Sequence, residues 1–73
     1  MEGINVELFI PGELKERPII CDMVREFKID MKILEASFST ESGWAYLIIN
    51  GETSETDRLF SYLKDIGIET KIR

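Results

Sequence analysis

Cys21 is the only thiol of the chain, and no histidine accompanies it. A nucleophilic serine or cysteine needs a base beside it, and proton transfer at neutral pH is ordinarily the work of an imidazole. Ser-His and Cys-His catalysis are therefore excluded. Helix-start placement lowers a thiol pKa, but Ile19, Ile20 and Asp22 around Cys21 point instead to a packed or partly packed small hydrophobe. A lone cysteine holds neither an iron–sulfur cluster nor a structural zinc. The hydroxyl-rich run Ser37-Phe38-Ser39-Thr40-Glu41-Ser42 has no base beside it and reads as the solvent-facing end of a strand. The acid pairs Glu13 with Glu16 and Glu55 with Asp57 lack the further ligands, or the desolvated cleft, of a cation site or a carboxylate dyad. Glu55 and Asp57 have a sufficient structural role at a helix N-terminus, where each acid contributes roughly 0.3 to 1 kcal/mol. Pro11-Gly12 is no phosphate loop, which needs more glycine and usually a lysine. The expectation is a non-enzyme without a cofactor or metal.

With 73 residues the chain is read as one domain, residues 1–73. A domain of this size buries only roughly 60% of its unfolded surface. Neither a disulfide nor a metal adds stability, so oligomerisation is the natural source of more. Hydrophobic residues at 44% and charged residues at 32% describe an ordered globular protein. The longest apolar run, Trp44-Ala45-Tyr46-Leu47-Ile48-Ile49, falls far short of the ~20 residues of a membrane helix. Met1-Glu2-Gly3-Ile4-Asn5 lacks the marks of a signal peptide, and a cytoplasmic location is expected. Nine basic against fourteen acidic side chains give a net charge of −5, which repels phosphate and anionic lipid. Nucleic acid and membrane surfaces are thus disfavoured as partners, neither nucleic-acid binding nor membrane insertion is expected, and Lys15 with Arg17, or Lys71 with Arg73, reads as solvated surface.

Ile4-Asn5-Val6-Glu7-Leu8-Phe9-Ile10 alternates as a strand with one buried face, closed by Pro11-Gly12. Ile19, Ile20, Met23, Val24 and Phe27 form one helical stripe, which predicts a helix from about Arg17 to Phe27 with Pro18 in its first turn. Two strands, from Asp30 to Glu41 and from Gly43 to Asn50, form a hairpin around Glu41-Ser42-Gly43. Ser54 and Asp57 stand at capping-box-like spacing before a second stripe of Leu59, Phe60, Leu63 and Ile66, which Gly67 ends. Ile68, Thr70 and Ile72 make a last strand. The order βαββαβ is that of the ferredoxin-like α+β fold, a four-stranded antiparallel sheet with two helices on one face.

The other face is expected to be bare. Leu34, Ala36 and Phe38 are assigned to the helix side with Ala45, Leu47 and Ile49. Met31, Ile33, Glu35, Ser37, Trp44, Tyr46 and Ile48, with Phe9, then fall on the open side. Clustered apolar residues on such a face mark an interface, and a homodimer is its simplest partner. Twist and long flanking side chains are the alternative cover.

The stretch Arg17-Pro18-Ile19-Ile20-Cys21-Asp22-Met23-Val24-Arg25-Glu26-Phe27-Lys28-Ile29-Asp30-Met31-Lys32-Ile33-Leu34, with Leu63-Lys64-Asp65-Ile66-Gly67-Ile68-Glu69, resembles a NIL domain. These are ACT-like, ferredoxin-fold modules named for an Asn-Ile-Leu motif at the start of the second strand. The resemblance runs from Val6 to about Ile72. It implies a regulatory domain like those on the ATPase subunit of methionine-importing ABC transporters, which dimerise and bind methionine. Other family members are fused to ferredoxin-type iron–sulfur domains of sulfur amino-acid synthesis. Ile33 and Leu34 match the motif, whereas Lys32 stands at its asparagine and Ala36 at a position commonly glycine. A lysine replaces an amide that donates and accepts by a purely cationic donor.

The resemblance implies a homodimer that binds a small amino acid, methionine first among them, between its subunits near the motif strand. Lys32, Ile33 and Leu34 supply the motif, and Trp44 and Tyr46 the apolar walls. Lys32 has a second reading, as an edge-strand lysine that discourages aggregation. The rival functions are a protein-interaction module without a ligand and an accessory subunit of a sulfur amino-acid pathway protein; an ABC transporter or an iron–sulfur protein is the partner protein these readings offer.

Overall fold

The computed structural model describes residues 3–14, 16–39 and 41–73, so Met1, Glu2, Lys15 and Thr40 of the readings above lie outside the described residues. The elements are β1 (Ile4–Ile10), a 3-10 turn (Gly12–Leu14), α1 (Ile19–Glu26), β2 (Asp30–Phe38), β3 (Gly43–Asn50), α2 (Thr53–Asp65) and β4 (Glu69–Ile72). The four strands form one antiparallel sheet in the order β2-β3-β1-β4. The predicted ferredoxin-like architecture is the one observed.

The core follows from the pairing of β1 with β3, which opposes Ile4 to Ile49, Val6 to Leu47 and Leu8 to Ala45. Directly opposed residues share a face, so the two strands present one continuous apolar side. Val6, Leu8, Ala45, Leu47 and Ile49 are inaccessible there, packed with Ile19 and Met23 of α1 and Leu59 and Leu63 of α2. Both helices thus cover the same face.

Helix boundaries depart from the reading at the starts. Pro18 occupies the N-cap of α1 rather than its first turn, and the Arg17 carbonyl accepts from the Ile19 N–H, so the helix begins two residues later than predicted. Ser54 and Asp57 form no capping box. The Glu52 carbonyl instead accepts from the Glu55 and Thr56 N–H groups, and Thr56 Oγ1 donates back to the Thr53 carbonyl at 3.1 Å. The end of α2 was legible: Gly67 sits at φ +94°, its N–H reaching Lys64 O while Ile68 N–H reaches Leu63 O, the two bonds of a Schellman motif.

The hairpin turns at Ser39–Ser42, with Gly43 already in β3. Ser39 Oγ accepts from the Glu41 and Ser42 N–H groups, each at 3.1 Å. A side chain at Gly43 would meet the Phe38 ring at 2.5 Å, which explains the glycine.

One face assignment is corrected. β2 pairs Ile33 with Leu47 but Glu35 with Tyr46, leaving Leu34 as the extra residue of a β-bulge. The bulge reverses the parity of the strand. Met31 and Ile33, opposite Ile49 and Leu47, lie on the helix side and not on the open side as predicted, while Ala36, opposite Ala45, lies on the helix side as predicted.

Leu8→Ala removes a fully buried side chain at the centre of β1. Urea unfolding of this variant is expected to show a loss of about 2 to 5 kcal/mol, the range for core leucine truncation.

Candidate functional site

The register sets the open face out in rows. Lys32, Ile48 and Asn5 lie across one, with Arg73 beside Asn5 through an N–H to carbonyl bond of 2.9 Å. Glu35, Tyr46, Glu7 and Lys71 make the next, and Ser37, Trp44, Phe9 and Glu69 the third. Lysine, glutamate and serine at the outer strands enclose an aromatic centre.

That centre is less bare than the sequence suggested. Trp44, Tyr46 and Ile48 are half-buried, and only Phe9 is exposed among these large apolar groups. Part of the cover is ionic. Glu7 is buried in the middle of β1, and its carboxylate accepts from the Arg73 guanidinium, which also lies 4.2 Å from the centre of the Tyr46 ring. A buried carboxylate without such a partner would be strongly unfavourable. Sequence reasoning left Arg73 on the solvated surface; the signal for a partner was Glu7 itself, an acid between apolar neighbours on a strand.

The five predicted ligand residues do not form one pocket. Lys32, Trp44 and Tyr46 share the open face, Ile33 lies on the helix side, and Leu34 is the bulge residue. A concavity of about 420 Å³ at the hairpin end has Trp44, Phe9, Ser37 and Glu69 in its lining. A cleft of about 260 Å³ between the start of α1 and the hairpin is lined by Ile10, Leu14, Ile20, Cys21 and Phe38, with Arg17 at its side. Cys21 is exposed on that wall, against the packed position predicted for it; it is on the flank of α1 turned from Met23 and the core. A third hollow lies at the far end of α1, among Val24, Lys28, Asp30 and Glu55.

Charge at that far end is structural. Glu55 Oε2 accepts the Lys28 N–H at 2.8 Å, and both its oxygens accept from Arg58, at 3.1 Å each. Arg58 in turn donates to the Glu26 carbonyl and stacks 4.4 Å from the centre of the Phe27 ring. One acid and one arginine of α2 therefore satisfy the C-terminal end of α1. The Arg58 hydrogen bonds, and then the Lys28 N–H, hold the Glu55 pKa below its ordinary value. Among the described residues no group of three or more His, Cys, Asp or Glu is placed to hold a metal ion, and no helix is long and apolar enough to cross a membrane.

Residues 4–71 match the family model described as the NIL domain. The chain belongs to the NIL domain family. It is similar to the methionine import ATP-binding protein MetN of Helicobacter pylori, 34% identical over 64 residues, covering 82% of this chain and 20% of the relative. The Bacillus subtilis protein of the same name is 27% identical over 74 residues, covering 96% and 22%. This NIL chain thus spans about a fifth of the length of these relatives. Its fold is that of the crystal structure of the C-terminal domain of an ABC transporter/ATP-binding protein from Enterococcus faecalis, with a TM-score of 0.81 and 24% identity over 97% of this chain and 83% of that one.

Two outcomes are expected of this NIL domain. Arg73→Ala strands the buried Glu7 carboxylate and lowers the melting temperature, and adding Glu7→Gln to that variant restores part of the loss; equal melting of the single and double variants would contradict the pairing. The depressed Glu55 pKa contributes stability that is present above its ordinary value of 4.5 and is lost as the pH falls through the lower folded value. Glu55→Gln is therefore expected to flatten the acid limb of melting temperature against pH.

Proposed function

We propose that this NIL domain is a non-catalytic regulatory module that binds a small amino acid, with L-methionine the leading candidate, and acts as a homodimer. The observation that carries the reading is the family match over residues 4–71, joined to relatives whose names are those of methionine import ATP-binding proteins. The chemistry of the chain agrees with it. The chain has no histidine, the ordinary proton shuttle at neutral pH, whereas the open face offers a cationic donor, Lys32, across from apolar and aromatic surface at Ile48, Tyr46 and Trp44. A zwitterionic amino acid with an unbranched apolar side chain asks for those two features together. Lys32 is the carboxylate anchor in this reading, in the place where the resemblance puts an asparagine. The ATPase of an amino-acid importer, at the cytoplasmic face of the membrane, is the partner most in keeping with the relatives.

A second reading, an interaction module without a ligand, is favoured by one observation: three of the exposed large apolar side chains, Ile33, Leu34 and Phe38, lie together on the edge strand β2. Calorimetric titration with an amino-acid panel led by L-methionine, followed in parallel by Trp44 fluorescence, separates the two. Saturable binding that Lys32→Ala weakens about tenfold or more, the order of one lost charged hydrogen bond, is the expected result. Absence of heat and of a fluorescence change across the panel would overturn the ligand reading in favour of the interaction module.

A further inference from the structure

The fold handles arginine in the same way twice. Arg58 lies 4.4 Å from the centre of the Phe27 ring and donates to the Glu55 carboxylate. Arg73 lies 4.2 Å from the centre of the Tyr46 ring and donates to the Glu7 carboxylate. A guanidinium suits both partners at once, because its flat face stacks on a ring while its edge N–H groups meet a carboxylate.

The third row of the open face sets out those two partners without the cation. Register places Trp44 beside Phe9, and Phe9 beside Glu69, on neighbouring strands. All three, with Ser37, Ile10 and Pro11, line the hollow of about 420 Å³ at the hairpin end, a volume within the roughly 300 to 1,000 Å³ of small-ligand clefts. Glu69 is the one charged residue of that lining, and none of the described ion pairs takes it up. Lys71, two residues further along β4, stands opposite Glu7 in the next row and outside the lining. Phe9 is 39% exposed beside it, an aromatic ring that this chain leaves without cover.

We propose that this hollow is a guanidinium site, in which Trp44 and Phe9 stack on the planar cation and Glu69 accepts from its N–H groups. The chemistry selects that group over others. An anion is repelled by Glu69 and by the net charge of −5. A neutral apolar ligand desolvates the carboxylate and gives it no partner. An alkylammonium is a compact, strongly hydrated charge, whereas a guanidinium is planar and more weakly hydrated, and tryptophan is the ring that attracts a cation best. The group can arrive on a free ligand such as L-arginine or on an arginine side chain of a partner polypeptide.

The site is separate from the one proposed for methionine. The row of Lys32 lies four residues of β3 from that of Trp44, and three strand spacings separate β2 from β4. At about 3.4 Å per residue and about 4.8 Å per strand, Lys32 and Glu69 stand about 20 Å apart. No single amino acid spans that distance, so the two readings stand or fall separately.

The test uses Trp44, the only tryptophan of the chain, whose indole N–H resonance reports on the hollow directly. Titration with N-acetyl-L-arginine amide is expected to move that resonance saturably. The neutral isostere N-acetyl-L-citrulline amide is expected to bind at least tenfold more weakly. Glu69→Gln, at an exposed position, is expected to weaken the arginine amide about tenfold, the order of one charged hydrogen bond. Phe9→Ala is expected to weaken it about threefold, the order of an exposed cation and ring contact. Circular dichroism of each variant verifies that its fold is kept. Absence of a saturable shift, citrulline binding equal to arginine, or indifference to Glu69→Gln would overturn the proposal, and equal binding of N-acetyl-L-lysine amide would overturn the choice of guanidinium. Free L-arginine distinguishes the sources, and either result supports the site. Binding about tenfold tighter than the blocked amide assigns the hollow to a free ligand, and equal or weaker binding assigns it to an arginine side chain of a polypeptide.

Discussion

The antiparallel pairing of β1 with β3 is the constraint on which the rest of this small fold depends. These strands occupy the middle of the sheet, and their register stacks Val6 on Leu47 and Leu8 on Ala45 on a single side. Each aliphatic side chain fully buried there stabilises the fold by about 1.5 to 3 kcal/mol, a large share of the few kcal/mol a domain of this size retains. A slip of one residue would turn Asn5 and Glu7 into the core. Because slippage is so costly, the central register in turn fixes where the helices sit, which residues line the open face, and which strands are left at the edges.

The open face has a different economy. Glu7 is buried on it and Arg73 answers that charge while lying over Tyr46, so the C-terminal end of β4 is tied to the centre of the sheet by an ion pair and a ring contact. On the helix side α2 supplies Glu55 and Arg58 to the end of α1. In both places a polar side chain distant in sequence completes an element that has too few residues to complete itself. A chain this short gains its last increments of order from such long-range contacts rather than from larger elements.

Most of the fold was legible from residue patterns because the strongest signals are also the physically dominant ones. Alternation in Ile4–Ile10 and Gly43–Asn50 gives those strands to the residue, and Gly67 marks the end of α2 because only a glycine takes φ +94° without strain. The helix starts were misread for local reasons: Pro18 is the N-cap residue of α1 rather than part of its first turn, and at α2 the Glu52 backbone carbonyl accepts the N–H groups that a Ser54 and Asp57 capping box was expected to engage. The bulge was invisible because no glycine announces it, and Leu34 fits an unbroken apolar alternation as well as a bulge. That one extra residue moves Ile33 from the predicted open face to the helix side and puts Lys32 with Trp44 and Tyr46, whereas Lys32 and Ile33, adjacent on a strand, point to opposite faces with or without a bulge. Cys21 was misplaced because apolar neighbours in sequence are not neighbours on a helix surface.

Lys32 is where the fold and the family resemblance bear on each other. An asparagine at the start of the motif strand can donate and accept, so it is indifferent to the charge opposite it. A lysine cannot be indifferent: on an exposed edge it either remains solvated, keeping other strands away, or finds an anion. The structure offers it no acid within its own chain among the described ion pairs. One anion suits its position in the proposed function, the carboxylate of an amino acid over the open face.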